Sequence, residues 1–549
     1  MTRGSQTPPG TRRRLAWLLC VAALLAALLG GAWLLHDTQP NRGATPSRTP
    51  SWVTLVPTFT ALPSATPVAA LAVPEATQTG AQVTAPGGAD PQAPTETATV
   101  EAPPVEFTWA ISNTQHYSFH YAPGTAAERD LPQIGAVAEA AFRRTRQALG
   151  TEFDGQMKIY LVPRVFWQGA ATYGDKVQLI SYLDRNYTEI EMWSYFTHEG
   201  THALAQDLIQ PKQEGGPDGV LVEGLAVWAT GGHYDVEPID AWAAVTAASE
   251  SYIPLTSLRA GPFYDFQHEI SYLEAGSFVK YLAERYGLDK LKDLYGEATG
   301  QAEHDEALVS RLYGKGYESL EADWLAYLEM LSPTAEDSQT WSLVVRSFDL
   351  MRRYETAMDP DARILPNQSP TDWTSDTLRI FLHQEQAPAN VVLETALIAA
   401  QIHLRNGDLD RASSLLDDVE ASLEAGGQLA RPSLEARLRI LDLVESQDRA
   451  ILEADVEAYE GTWAGLHSPS TTQAGHLLLR FSEYRQEVIR LDVAPDGQGA
   501  QGVVVVHAQV DGSDFEDGRL FGVTFVLQSG DWRMAGREPM EPSLSLPPP

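Results

Sequence analysis

The sequence predicts an α+β fold: a small sheet with a helical lobe, then a helical segment, then a second α+β unit. Three observations carry that prediction. Short strand-like runs occur at Tyr117–Tyr121 (YSFHY, alternating, ending at a Pro-Gly turn), Lys158–Val162 and Lys176–Ser181. Apolar residues then recur at helical spacing through Asp240–Ser249, Tyr272–Tyr286, Leu288–Tyr295, Ala307–Leu312 and Leu320–Leu331. Finally, a helix at Leu443–Trp463 precedes strand candidates at Arg485–Val493, Gly502–Asp511, Leu520–Gln528 and from Gly530 to Met534.

Taken in order, residues 1–14 are basic, ending in Arg12-Arg13-Arg14, and read as a cytoplasmic N-terminus. Leu15–Leu35 is uncharged and apolar over 21 residues, enough to span a bilayer. Two readings are open: an uncleaved transmembrane anchor, with everything after it extracytoplasmic, or a signal peptide cut near Gly30 and Ala32, giving a secreted chain. Cys20 is the only cysteine, which excludes an intramolecular disulfide and any zinc module built on two cysteines. Leu19 before it also departs from a lipoprotein signal. Residues 37–106 are rich in Pro, Thr, Ala and Ser; too little apolar surface is available to offset ordering entropy, so the stretch reads as an extended stalk of the kind common on exported bacterial proteins. The formal net charge of −34 makes a nucleic-acid partner unfavourable.

A folded unit is expected over 107–332, with a long helix at Glu128–Leu149. At its centre lies Ser194–Leu208 (SYFTHEGTHALAQDL), which contains the H-E-x-x-H motif. On a helix His198 and His202, four apart, present two imidazoles to one metal. Glu199, rotated about a third of a turn from His198, places a carboxylate beside the metal's water rather than on the metal. A catalytic zinc takes three protein ligands and keeps one position open. The candidate third ligand is Glu223, 21 residues after His202, in the helical run Gly219–Thr230 (GVLVEGLAVWAT). Left unpaired in so apolar a segment, that carboxylate is costly to bury.

These residues resemble the gluzincin metallopeptidases: thermolysin, the zinc aminopeptidases and the broader peptidase MA-like group. Their third ligand is a Glu at about this distance, and the aminopeptidases set it in a Glu-Gly-x-Ala context, here Glu223-Gly224-Leu225-Ala226. The resemblance implies a thermolysin-like domain with one Zn2+ per chain, His198, His202 and Glu223 as metal ligands and Glu199 as general base. It also implies a peptide or protein substrate, bound in extended form along a sheet edge. Ser271–Leu282 (SYLEAGSFVKYL) resembles the segment in which aminopeptidases carry an oxyanion-binding Tyr, with the glycine one position later, at Gly276. Tyr272 is therefore the catalytic candidate for that role, against a plain core tyrosine; His268 is the alternative, and His233 reads as a helix-end or loop histidine. No G-x-M-E-N segment is present, so exopeptidase activity is not supported.

Residues 333–440 read as helical. Val391–Ala425 resembles one tetratricopeptide hairpin joined at Asn406-Gly407-Asp408, the other reading being a helical spacer. Residues 441–549 resemble the nuclear-transport-factor-2-like cone, which hosts enzymes and binding modules alike. The sequence thus points to an extracytoplasmic, membrane-anchored zinc endopeptidase. The readings from other classes are a surface scaffold or adhesion protein with a relic peptidase domain, and a zinc hydrolase acting on another bond.

Overall fold

The computed structural model describes residues 109–123, 125–162, 170–182, 192–209, 215–358, 387–465, 481–510, 513–514, 518–540, 544 and 546–547. The basic N-terminus, Leu15–Leu35, Cys20 and the 37–106 stretch lie outside the described residues. Among the described residues no helix is long and apolar enough to cross a membrane.

The first sheet is built from β1 (Ala110–Asn113), β2 (Tyr117–Tyr121), β3 (Met157–Val162), β4 (Ala170–Tyr173) and β5 (Val177–Ser181), in the order β1-β2-β3-β5-β4. β2, β3 and β5 run parallel, and the short edge strands β1 and β4 are antiparallel to their neighbours. Helix α1 (Ala126–Leu149) connects β2 to β3; it ends at Gly150, whose φ of 55° is left-handed and whose amide bonds the Arg146 carbonyl. β1 and β4 were not expected, because four-residue edge strands carry too little alternation to read. The strand expected from Lys176 starts at Val177, since Gly174–Lys176 forms a 3-10 turn.

Helices follow: α2 (Met192–Ala205), α3 (Gly219–Thr230), α4 (Ile239–Ala247), α5 (Leu255–Ala260), α6 (His268–Tyr286), α7 (Leu288–Glu297), α8 (Ala302–Tyr313) and α9 (Tyr317–Glu329). α6 begins at His268, four residues before the expected Tyr272, because the Gln267 side chain caps it by accepting from the Ile270 amide. α8 likewise extends five residues earlier than expected, and α5 was not anticipated.

Beyond them lie α10 (Ala335–Met358), α11 (Pro388–Arg405), α12 (Leu409–Glu424), α13 (Pro432–Leu452) and α14 (Val456–Gly461). The α11–α12 hairpin turns where expected: Gly407 has φ 75° and the Asp408 carboxylate accepts from the Arg411 amide. The single helix expected over Leu443–Trp463 is instead α13, which starts earlier with Pro432 in its first turn, and α14. Ala454, with φ 55°, and the Asp455 cap separate them.

The second sheet is antiparallel, β10-β9-β7-β6, formed by β6 (Phe481–Val493), β7 (Gly499–Val510), β9 (Arg519–Gln528) and β10 (Asp531–Met540), with β8 (Ser513–Asp514) pairing β7. Bulges near Val488–Arg490 and Met534–Gly536 bend and twist it. Both faces are covered. Along β7, Val504 and Val506 face the core under α13, while Val503 and Val505 join the core that runs through α11, α10 and the first unit. That shared core makes the helical segment a structural continuation of the first unit.

Candidate metal centre

The H-E-x-x-H motif lies on a helix that is buried nearly all round; His198 and Glu199 are each 1% exposed. So buried a helix needs every hydroxyl satisfied. Thr197 and Thr201 donate back to the carbonyls of Trp193 and Thr197, each at 2.7 Å. Glu223 is presented from α3, which is capped at its start by the Asp218 carboxylate and stopped at Gly231, φ 89°. α3 lies against α6 along glycines. A Cβ on Gly224 would sit 2.4 Å from the Ala275 carbonyl oxygen, and one on Gly276 2.4 Å from Cγ1 of Val227. The glycine after Glu223 is therefore required by the close approach of two helix backbones.

His198, His202 and Glu223 converge as expected. Oε2 of Glu223 lies 3.3 Å from Nε2 of His198 and 3.2 Å from Nε2 of His202. The ligand atoms all fall within 4.8 Å of one another. Ligands 2.0–2.1 Å from a tetrahedral zinc stand roughly 3.3 Å apart, so the two spacings to Glu223 match that edge. The donor set of two imidazoles and one carboxylate also suits zinc.

Glu199 is held at one oxygen only. Its Oε2 accepts from the Thr172 hydroxyl at 2.6 Å, and its buried Oε1 has no hydrogen-bond partner among the described residues. Burial pushes the Glu199 carboxyl up, against the pull of His202 and His198. Burial opposes charge on Glu223 as well, but there the imidazoles of His202 and His198 win and hold it well below the carboxylate range. His202 is the counterpart: burial disfavours its cation, and Glu223 more than offsets this, raising it to about 9.

Tyr272 lies beside the ligand set, 1% exposed, its ring 6.3 Å from that of His198 and 4.4 Å from that of His233. Its hydroxyl makes no hydrogen bond among the described residues, and burial, with Glu223 nearby, keeps it neutral. His268 packs at 4.1 Å on Tyr272; burial drives it down to about 3, leaving a neutral imidazole. His233 follows the end of α3, as expected of a helix-end histidine, yet it is buried edge-on against His198 and Tyr272.

Two polar contacts were not read from the sequence. Tyr264 donates to Oε1 of Glu223 at 2.8 Å, and Thr172, on edge strand β4, reaches Glu199. Neither belongs to a motif; the Pro262-Phe263-Tyr264-Asp265 turn is the one local signal near them. A further layer comes from α10: Arg352 pairs with buried Glu269, which also accepts from the Tyr234 hydroxyl at 3.0 Å.

No curated protein matches the chain. Residues 151–330 match the family model of the peptidase MA superfamily, a stretch that runs from before β3 to just past α9 and includes His198, Glu199, His202 and Glu223. The chain therefore carries a peptidase MA domain, with His198, His202 and Glu223, a group that could hold a metal ion, on α2 and α3.

Proposed function

We propose that the chain is a membrane-anchored, extracytoplasmic zinc metalloendopeptidase. The observation that carries this reading is the pairing of a three-ligand cluster, whose spacings to Glu223 match a zinc edge, with a buried carboxylate, Glu199, that has one oxygen free. A zinc ion held by His198, His202 and Glu223 supplies Lewis acidity and lowers the pKa of bound water toward ~7. Oε1 of Glu199 takes the proton of the attacking water, while Thr172 fixes the other oxygen. The same carboxyl then delivers the proton to the leaving amine. Tyr272, neutral and beside His198, is the donor to the oxyanion, with His268 as the alternative. β4, an edge strand whose Thr172 touches Glu199, offers an extended peptide a backbone to pair with.

The test is Glu199→Gln in the full-length chain, beside His202→Ala. Wild type and Glu199→Gln each hold one zinc by mass spectrometry, Glu199→Gln loses peptide hydrolysis by orders of magnitude, and His202→Ala loses the metal. Retained hydrolysis in Glu199→Gln removes the mechanism; absence of zinc in the wild type after reconstitution returns the chain to the scaffold reading. The anchor rests on Leu15–Leu35 behind three arginines, and release of the chain from membranes by carbonate extraction removes it.

A further inference from the structure

The two oxygens of Glu223 have different partners. Oε2 faces both imidazoles, at 3.3 and 3.2 Å, while Oε1 accepts the 2.8 Å hydrogen bond from Tyr264. The turn that carries Tyr264, Phe263–Asp265, is closed by the Asp265 amide bonding the Pro262 carbonyl at 2.8 Å. Buried Phe263 seats it against the first turn of α3, so closely that a Cβ on Gly219 would lie 2.5 Å from Cβ of Phe263. Tyr264 is thus anchored on the helix whose ligand it touches, although its own side chain is 36% exposed.

We propose that Tyr264 is a positioning residue that confines Glu223 to one-oxygen ligation and so keeps a coordination position of the metal open. The proposal rests on the zinc-site reading above. A carboxylate with both oxygens free can close on one metal through both. An oxygen engaged as acceptor of a charge-assisted hydrogen bond is a poorer second ligand, and the bond also fixes the rotation of the carboxylate plane. Catalytic zinc needs three protein donors and a vacant position, and a chelating Glu223 would crowd that position. No other contact does this work among the described residues: Thr172 engages Glu199, and the Tyr272 hydroxyl is unbonded.

The experiment is cobalt(II) substitution of the full-length protein, because four-coordinate cobalt absorbs visible light several-fold more strongly than five-coordinate cobalt. Wild type and Tyr272→Phe give the intense spectrum. Tyr264→Phe gives a weakened one, and its zinc affinity, measured by chelator competition, falls about 10–100-fold. The melting temperature of the metal-free Tyr264→Phe chain stays at the wild-type value, which separates ligand positioning from lost folding. A Tyr264→Phe spectrum and zinc affinity equal to wild type overturn the proposal while leaving the peptidase reading intact. A wild-type chain that binds neither metal overturns both.

Discussion

Replacing Gly224 by alanine asks whether the glycine beside the third ligand exists for the metal centre. The added Cβ would lie 2.4 Å from the Ala275 carbonyl oxygen and 2.7 Å from Cγ2 of Val279. Ordinary contact begins at 3.4 Å, so the overlap with the carbonyl is 3.4 − 2.4 = 1.0 Å. Val279 can turn aside; the Ala275 carbonyl belongs to the α6 backbone and moves only with the helix. Two effects oppose each other in stability. Alanine is a better helix former than glycine by ~1 kcal/mol, and overpacking costs about 1–3 kcal/mol, for a net loss of roughly 0–2 kcal/mol. The metal centre has no such compensation. Separating α3 from α6 displaces Glu223 relative to His198 and His202, against a ligand spacing of only 3.2–3.3 Å. Zinc affinity is therefore the sensitive readout and falls on the order of 10–100-fold, while the metal-free melting temperature moves little. Chelator competition measures the first and calorimetry the second. Wild-type zinc affinity in Gly224→Ala would refute the reasoning.

Two further perturbations address the layer behind the ligands. Glu237 accepts from the His233 and Tyr234 amides, and burial nonetheless pushes its carboxyl up to about 7 from an ordinary 4.5. Its stabilising effect is full below pH 4.5 and is lost as pH rises through 7, by at most ~3 kcal/mol, because the folded state resists its ionisation. Glu237→Gln, measured by urea unfolding, should therefore gain on wild type from pH 5 to pH 8; parallel pH curves would exclude this. Arg352→Met leaves buried Glu269 without its cation, a loss of about 3–5 kcal/mol, and adding Glu269→Gln should recover part of it. Melting temperatures decide, and a single variant as stable as wild type would show that the pair contributes nothing.

The parts of the site that could be read from sequence are those whose geometry is local. His198, Glu199 and His202 are set by one helical repeat, and Gly219–Thr230 carries its own cap, apolar face and terminal glycine. The hairpin at Asn406–Asp408 is local in the same way. Thr172 and Tyr264 reach their partners across 27 and 41 residues, through a sheet edge and a turn, and no periodicity encodes those distances. β1 and β4 escaped notice because four residues in an edge strand need not alternate. The break between α13 and α14 falls at Glu453-Ala454-Asp455, residues with no helix-breaking chemistry except the Asp455 cap; Ala454 takes the left-handed conformation because the chain must turn there. The early start of α13 did leave a readable trace, Pro432 in the first turn.

The unit that carries the candidate metal centre is larger than the stretch that carries its motif. α10 lies beyond the peptidase MA match, yet its Phe348 stacks on Tyr234 at 4.3 Å and its Trp341 on Trp242 at 5.2 Å. Tyr234 and Arg352 meet at Glu269, and the residue before Tyr234, His233, lies edge-on to His198. Ligand orientation at a metal depends on the shell behind the ligands as much as on the ligands themselves. Here α10, which the motif-bearing stretch does not contain, packs on Tyr234 and pairs with Glu269, one step removed from the His233 ring that lies against His198. The segment after residue 332, expected as a spacer or a repeat, thus has a physical reason to stay attached: without α10, Glu269 would lose the Arg352 cation and Tyr234 the Phe348 ring it stacks on.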